Sequence, residues 1–160
     1  IEEQLNRGRR FDTHLLFFFT DLNAIFFRSS VDFAISNKVI LSGSLIKNFF
    51  DKNGATHLYG LHTFECKAQA QIKFWNGKVQ LTPELFVTDR SWTQIEKDPG
   101  IVTDIRLNNR VELNTTLDIW FSNKLGLYVR AGNILNNRYE QWYGYPVLGI
   151  HGQGGILLKL

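Results

Sequence analysis

Residues 110–121 read RVELNTTLDIWF, and along this stretch apolar and polar side chains alternate. One parity carries large apolar side chains: Val111, Leu113, Leu117, Ile119 and Phe121. The other parity carries charged and hydrogen-bonding side chains: Arg110, Glu112, Asn114, Thr116 and Asp118. Because successive side chains of a β-strand point to opposite faces, the stretch predicts a strand with one apolar and one polar face.

The same alternation recurs along the chain, most clearly at 64–74, 25–35 and 125–132. Together with looser segments it predicts about eight strands. We place them near 11–19, 23–36, 38–50, 59–75, 78–90, 106–122, 124–134 and 147–160. At 11–19 apolar side chains occupy both parities, so the sequence leaves the register of that strand open.

The connections between these strands fall into two classes. Three are tight: Ser36-Asn37-Lys38, Trp75-Asn76-Gly77-Lys78 and Ser122-Asn123-Lys124, where we expect the asparagines and the glycine to supply positive φ. Three are long and polar, at 51–58, 91–105 and 135–146. The connection near Thr20–Asn23 is short although it belongs to the long-loop end. Short turns that alternate with long loops predict an antiparallel meander and are typical of transmembrane β-barrels.

Composition permits a membrane protein without requiring one. Hydrophobic residues make up 44% of the chain and charged residues 21%, and no apolar run is long enough for a membrane helix. Three features favour a barrel in a membrane over a soluble β-sandwich: strands of about 9–11 residues, charges in mid-strand, and aromatic residues at strand ends. A soluble lipocalin-like ligand-binding barrel stays open as an alternative.

If the apolar face meets lipid, the polar face lines a hydrated lumen. Seven charged residues are expected there, paired across strands where their signs oppose: Glu65, Lys67, Lys73, Glu84, Glu112, Asp118 and Arg130. An aromatic cluster near the last long loop is a candidate ligand contact at the outer rim: Tyr139, Trp142, Tyr143 and Tyr145. The competing interpretation of this cluster is an interfacial girdle combined with loop packing.

The chain ends Gly154-Gly155-Ile156-Leu157-Leu158-Lys159-Leu160, which resembles the C-terminal signal recognised by the outer-membrane barrel-assembly machinery. Gly155, Leu158 and Leu160 occupy its fixed positions, although that signal usually ends in an aromatic residue and Leu160 is not one. Upstream, Asn133-Ile134-Leu135-Asn136 leaves one strand, and Trp142-Tyr143-Gly144-Tyr145-Pro146 precedes the last. Over 106–160 the chain is similar to the final hairpins of TonB-dependent receptors, especially those of Bacteroidota.

That resemblance implies a barrel of about 22 strands with an N-terminal plug, which imports a ligand across the outer membrane with energy from TonB. The implied partners are outer-membrane lipid, the remaining barrel and plug, TonB, the barrel-assembly machinery and a surface lipoprotein. The chain has no Met, opens Ile1-Glu2-Glu3 and has a receptor-like ending, so we expect residues 1–160 to be the last part of a larger barrel, about its C-terminal third. The alternative is a small autonomous eight-stranded outer-membrane protein with a structural or adhesion role.

No catalytic, cofactor or metal site is expected. His14, His57, His62 and His151 lack metal-ligand spacing, and Cys66 is the single cysteine. His57 and His62 have no acidic neighbour closer in sequence than Asp51 and Glu65. The formal charge of +3 is made of scattered charges of both signs, which does not favour nucleic-acid binding. These patterns do not favour an enzyme, and the resemblance to TonB-dependent receptors implies a transport component.

Overall fold

A computed structural model describes residues 9–19, 23–51, 57–98 and 101–159. The strands, in chain order, are β1 (Arg9–Phe19), β2 (Asn23–Ser36), β3 (Val39–Phe50), β4 (Phe64–Phe74), β5 (Val79–Thr88), β6 (Trp92–Asp98), β7 (Ile101–Arg106), β8 (Arg110–Trp120), β9 (Leu125–Gly132), β10 (Glu140–Trp142), β11 (Tyr145–Pro146) and β12 (His151–Leu158). A single 3-10 turn spans Trp75–Gly77. None of the described segments forms a helix with the length and apolar content of a membrane span.

The eight long strands form one sheet in the order β1-β2-β3-β4-β5-β8-β9-β12. Each strand pairs antiparallel with its neighbours, which confirms the predicted all-β meander. Leu15 lies opposite Phe27 and Phe11 opposite Val31, so pairing with β2 fixes the register that the sequence left open. Among the described strands, β1 pairs only with β2 and β12 only with β9.

The fourth predicted strand begins later than expected, at Phe64 instead of residue 59. The preceding segment is held by the outer loops: the Gly60 amide donates to the Trp92 carbonyl at 2.8 Å, and Tyr59 forms a parallel bridge with Trp92. Two short hairpins, β6–β7 and β10–β11, lie where the sequence predicted loops. Their strands are too short to show the long alternating pattern from which the other strands were predicted.

The tight turns form by two different means. At Asn76 and Gly77 φ is 55° and 83°, and the Lys78 amide donates to the Trp75 carbonyl at 3.2 Å, so positive φ is confirmed there. Asn37 and Asn123 do not adopt positive φ, and that expectation was wrong. In those two turns the hydroxyl of Ser36 or Ser122 accepts a hydrogen bond from the amide two residues later, at 3.2 Å in each case. In these two turns, a hydrogen bond to a serine side chain stabilises the chain reversal, and no residue needs a left-handed backbone conformation.

The sheet has an apolar face that no described residue covers. Register places Ile119 opposite Leu127 and Leu117 opposite Val129, and β12 continues the face with Ile156 and Leu158. Large side chains on this face are exposed across the sheet: Ile25, Phe27, Phe33, Leu41, Phe49, Phe74, Leu85, Leu125, Leu127, Val129, Ile156 and Leu158. Buried hydrophobic residues in the described part are only Val79, Leu107 and Tyr139. A soluble sandwich would cover such a face with a second layer.

Candidate functional site

The polar face carries all seven of the charged residues predicted for a lumen. Register sets Glu84 opposite Gln69 and Asn114, Asp118 opposite Gln80 and Tyr128, and Arg130 opposite Thr116. Glu65, Lys67, Lys73 and Glu112 share the parity of these residues. One pair forms across strands, with Lys67 Nζ 2.6 Å from Glu84 Oε2. Glu112 instead pairs within β8, 2.8 Å from Arg110.

Glu112 is the centre of a polar network at the long-loop end of β8. Its Oε2 accepts from the Tyr139 hydroxyl at 2.7 Å and from Arg110 Nε at 2.9 Å, and its Oε1 accepts from Asn114 Nδ2 at 2.8 Å. The Arg110 guanidinium lies 4.1 Å from the centre of the Phe86 ring. Through these contacts Glu112 holds the side chains of Arg110, Asn114 and Tyr139 in position around it.

Tyr139 ties the loop after β9 to this network. The residue is buried, and burial together with the hydrogen bond to Glu112 raises the pKa of the Tyr139 hydroxyl from 10.0 to about 12. The phenol therefore remains protonated, and a hydrogen-bond donor, at any physiological pH. In this structure Tyr139 anchors the loop, which distinguishes it from the other three residues of the predicted rim cluster.

Asn133 organises the same loop from within. Only 1% of it is exposed, and its φ is 48°. Its Nδ2 donates to the carbonyls of Asn137 and Leu148, both at 3.0 Å, and its Oδ1 accepts from the Asn137 amide at 3.0 Å. The Asn133 amide donates to Asn114 Oδ1 at 2.9 Å, which links the loop to β8. The segment that leaves β9 is thus a defined corner with its polar groups paired.

The predicted rim residues divide between two adjoining hollows. Tyr139, Trp142 and Tyr145 line one of about 540 Å³, while Tyr143 lines the neighbouring one of about 420 Å³, which Tyr139 also borders. Trp142 and Tyr145 are 61% and 72% exposed, and Tyr143 is 46% exposed. The structure adds side chains that sequence reasoning missed: Arg110, Gln141 and His151. Arg110 could have been predicted from the sequence, because it lies on the polar parity at the end of its strand nearest the rim. No sequence pattern pointed to Gln141 or His151.

A second ordered cluster lies where residues 57–63 meet the β6–β7 hairpin. The His57 ring stacks on Trp92 with centroids 3.7 Å apart, and Arg106 lies 5.7 Å from the same indole ring. The Tyr59 hydroxyl donates to Asp104 Oδ1 at 2.8 Å, and this bond raises the pKa of Tyr59. The acidic partner thus comes from 45 residues away along the chain, which is why sequence neighbours gave no hint of it.

The other loop histidine also finds its partner at a distance. Nδ1 of His62 lies 3.0 Å from the carbonyl oxygen of Asp89, whose carboxylate accepts hydrogen bonds from the amides of Thr63 and Phe64 at 3.1 and 3.2 Å. Within the described ranges, no three His, Cys, Asp or Glu side chains lie close enough to hold a metal ion. The side chain of His14 is outside the described part. Both clusters therefore stabilise loops through hydrogen bonds and ring contacts.

The residues matched to the assembly signal have separate surroundings. Gly155 lies opposite Tyr128, and a Cβ there would stand 2.6 Å from Tyr128 Cε1, so the tyrosine ring covers the glycine. Leu158 is exposed on the apolar face. Leu160 lies outside the described residues. The glycine thus has a packing reason for its size that is independent of any signal, and the signal itself stays a prediction.

The chain is similar to known proteins in its fold, whereas the sequence comparisons found no match. No protein-family model and no curated protein matches the sequence. Among solved structures, the ferripyoverdine receptor of the outer membrane of Pseudomonas aeruginosa bound to ferripyoverdine aligns with a TM-score of 0.73 at 10% identity, covering 86% of this chain and 19% of that one. The chain has the fold of an outer-membrane receptor barrel.

Two further structures agree with that result. The pyoverdine receptor FpvA of P. aeruginosa PAO1, bound to pyoverdine, gives a TM-score of 0.74 at 8% identity, covering 96% of this chain and 26% of that one. The complex of FpvAI with pyocin S2 gives 0.72 at 9% identity, covering 86% and 19%. The chain therefore spans about a fifth to a quarter of the length of these receptor structures.

Proposed function

We propose that the chain is part of the barrel of a TonB-dependent receptor that imports a ligand across the outer membrane of a Gram-negative cell. The observation that carries the proposal is the agreement between two properties. The sheet exposes a continuous apolar face, and its fold matches the barrels of outer-membrane receptors with TM-scores of 0.72 to 0.74. The matched proteins are receptors, in line with a role other than catalysis.

The exposed apolar face supports a lipid environment. Each exposed side chain leaves apolar area in water at a cost of about 25 cal/mol per Å², and the exposed residues extend from β2 to β12. In a lipocalin-like barrel the same residues would point inward and be buried. Contact with acyl chains removes the cost without a second protein layer, so a membrane suits the observed exposure better than water does.

The polar face and the sheet edges support a larger barrel. In this proposal the ion pair of Lys67 and Glu84 and the network around Glu112 face a hydrated lumen. The outer edges of β1 and β12 then pair with further strands of the same protein, because lipid does not tolerate unpaired backbone groups. A plug in the lumen, TonB, the barrel-assembly machinery and a surface lipoprotein are the partners that this function implies.

The rim hollows support a role in ligand contact. Trp142 and Tyr145 expose large aromatic surfaces beside Arg110 and His151, and Tyr143 does so in the adjoining hollow, at the end of the sheet that carries the long loops. Aromatic side chains combined with a few polar groups are the usual lining of ligand sites. The matched receptors are bound to pyoverdine or to pyocin S2, and for this chain we propose only that the rim contacts the imported ligand.

Site-directed spin labelling tests the membrane setting directly. Labels at Leu117 and Ile119 should be relaxed by oxygen dissolved in lipid, and labels at Asp118 and Asn114 by a water-soluble nickel complex. These residues alternate along one strand, so each label has its control next to it at nearly the same depth. The reverse pattern would refute the membrane barrel and favour the soluble ligand-binding barrel.

A further inference from the structure

One charged residue lies on the apolar face of the sheet. Within the seven long strands whose side chains the structure describes, β2 to β5, β8, β9 and β12, every other Asp, Glu, Lys and Arg belongs to the polar face. The exception is Lys47 near the end of β3, which lies opposite Phe27 of β2 and Phe64, the first residue of β4. Directly paired residues of neighbouring strands share a face. Lys47 therefore has aromatic neighbours on both sides, at the end of the sheet that carries the long loops.

The ammonium group of Lys47 keeps most of its hydrogen-bonding capacity. Nζ donates to Thr63 Oγ1 at 3.4 Å and lies 5.8 Å from the centre of the Phe49 ring. No carboxylate in the described ranges forms an ion pair with it. The Asp89 carboxylate, which also contacts Thr63, instead accepts hydrogen bonds from the backbone amides of Thr63 and Phe64. Because an ammonium group has three donors and a full positive charge, Lys47 is able to hold an anionic oxygen in addition.

The apolar face next to Lys47 offers a surface for acyl chains. From Phe64 towards the middle of the sheet, β4 presents small side chains on this face, at Cys66, Ala68 and Ala70. Larger apolar side chains flank them on both neighbouring strands, since Leu45 of β3 lies opposite Cys66 and Leu85 of β5 lies opposite Ala68. An acyl chain that starts at the level of Lys47 would therefore lie along β4 between two rows of larger side chains.

We propose that Lys47 binds the phosphate of an anionic lipid in the leaflet that meets the long loops, and that the acyl chains of the same lipid lie along the small side chains of β4. Lysine interacts with phosphate as a point charge. On the lipid-facing side of a strand a lysine is costly at the middle of the bilayer and tolerated near the interface. The position of Lys47 near the end of β3 suits the level of the headgroups, and the acyl-chain surface adjoins it on the same face. This inference rests on the proposed function, because it requires the apolar face to meet lipid.

A label on Cys66 gives a local readout, because this residue is the single cysteine of the chain and lies on the apolar face beside Lys47. The intact protein, with any cysteine outside this chain replaced, is labelled there with bimane and reconstituted in bilayers of phosphatidylcholine and phosphatidylglycerol. One lipid at a time carries bromine, which quenches bimane on contact. Phosphatidylglycerol should be enriched at the label roughly fivefold over the bulk bilayer, since one lysine near anionic lipid contributes about that factor. Lys47→Gln should abolish the enrichment, and Lys47→Arg, which keeps the charge, should retain it.

Two controls separate a local site from general attraction. Lys67→Gln removes the same charge from the same region of the sheet, but from the polar face of β4, and should leave the enrichment unchanged. A bimane on Val111→Cys, in protein that also carries Cys66→Ser, lies on the apolar face in the same row, because Val87 pairs with both positions. That label is two strands further from Lys47 and should report no enrichment. Equal losses in Lys47→Gln and Lys67→Gln, or equal enrichment at both labels, would overturn the site.

The remaining outcomes also decide the matter. Enrichment that persists in Lys47→Gln, or that is lost equally in Lys47→Arg, would refute a role for the positive charge. Free glycerol phosphate should not compete, because it lacks acyl chains, and competition by it would overturn the lipid as the ligand. Quenching at Cys66 by both brominated lipids without preference refutes this inference alone. Quenching by neither lipid would show that the apolar face is not in contact with a bilayer and would refute the proposed function itself.

Discussion

Replacement of Asn133 should be among the most damaging changes in the described loops. Asn133→Ala removes two donated and one accepted hydrogen bond at a site that is 1% exposed. At about 1 kcal/mol each, these bonds contribute about 3 kcal/mol to the free energy of unfolding. Alanine at a φ of 48° adds about 1 kcal/mol of left-handed strain. We therefore expect a loss of about 4 kcal/mol.

Two companion variants separate the two contributions. Asn133→Gly removes the hydrogen bonds without the strain and should cost about 3 kcal/mol. Asn136 also has positive φ, at 49°, but is exposed and makes no side-chain hydrogen bond to any described residue. Asn136→Ala should therefore cost only about 1 kcal/mol. Urea unfolding in lipid vesicles, followed by tryptophan fluorescence, measures all three. If Asn133→Ala cost no more than Asn136→Ala, the hydrogen-bonded corner would not stabilise the fold and this account of it would be wrong.

Three other predictions follow from contacts on the polar face and in its loops. Gly155→Ala should lower the free energy of unfolding by about 1–2 kcal/mol, because the new Cβ overlaps the Tyr128 ring. In a protein that already carries Tyr128→Ala, this loss of stability should largely vanish. An assembly defect that persists in that double variant would instead support a signal role for the glycine. The pKa of Tyr139 is raised from 10.0 to about 12, so its contribution to stability is complete below about pH 10 and is lost as the pH rises towards 12. In an ultraviolet titration of the tyrosines, the component that ionises at the highest pH should be missing from Tyr139→Phe. An unchanged titration would contradict the assignment. The ion pair of Lys67 and Glu84 is partly exposed, so a double-mutant cycle should give a coupling below about 1 kcal/mol; a much larger value would mean that the pair is shielded from water.

The long strands were predictable because their signal is repeated over many residues. Most of the eight segments show the alternation that one buried or lipid-facing side of a sheet requires, although 11–19 is apolar on both parities. Each of the eight was found within a few residues of its bounds. The largest error lies at β4, which was started at residue 59. There the extended residues belong to the outer loops through the bridge of Tyr59 and Trp92. A sequence shows that residues are extended but does not show which partner they pair with.

The loop geometry was far less accessible, because it depends on residues that are distant in sequence. Asp104 meets Tyr59, Asp89 meets Thr63, and Glu112 meets Tyr139, each across more than 20 residues. The aromatic rim was predicted from composition alone, and composition could not separate the buried anchor Tyr139 from the exposed Trp142 and Tyr145. Similarly, Asn133 looked like one of several asparagines, although it alone fills the corner after β9.

The meander has a consequence for how such a protein can change over evolutionary time. Consecutive long strands pair in order, and even β5 and β8 are adjacent across the intervening β6–β7 hairpin, with Thr88 opposite Arg110. An insertion at the long-loop end therefore leaves every register in the sheet intact. Each doubling of a loop costs only about 0.6 kcal/mol in closure entropy. The loops at that end can therefore be rebuilt one at a time, while the strand pairing of the sheet remains as it was.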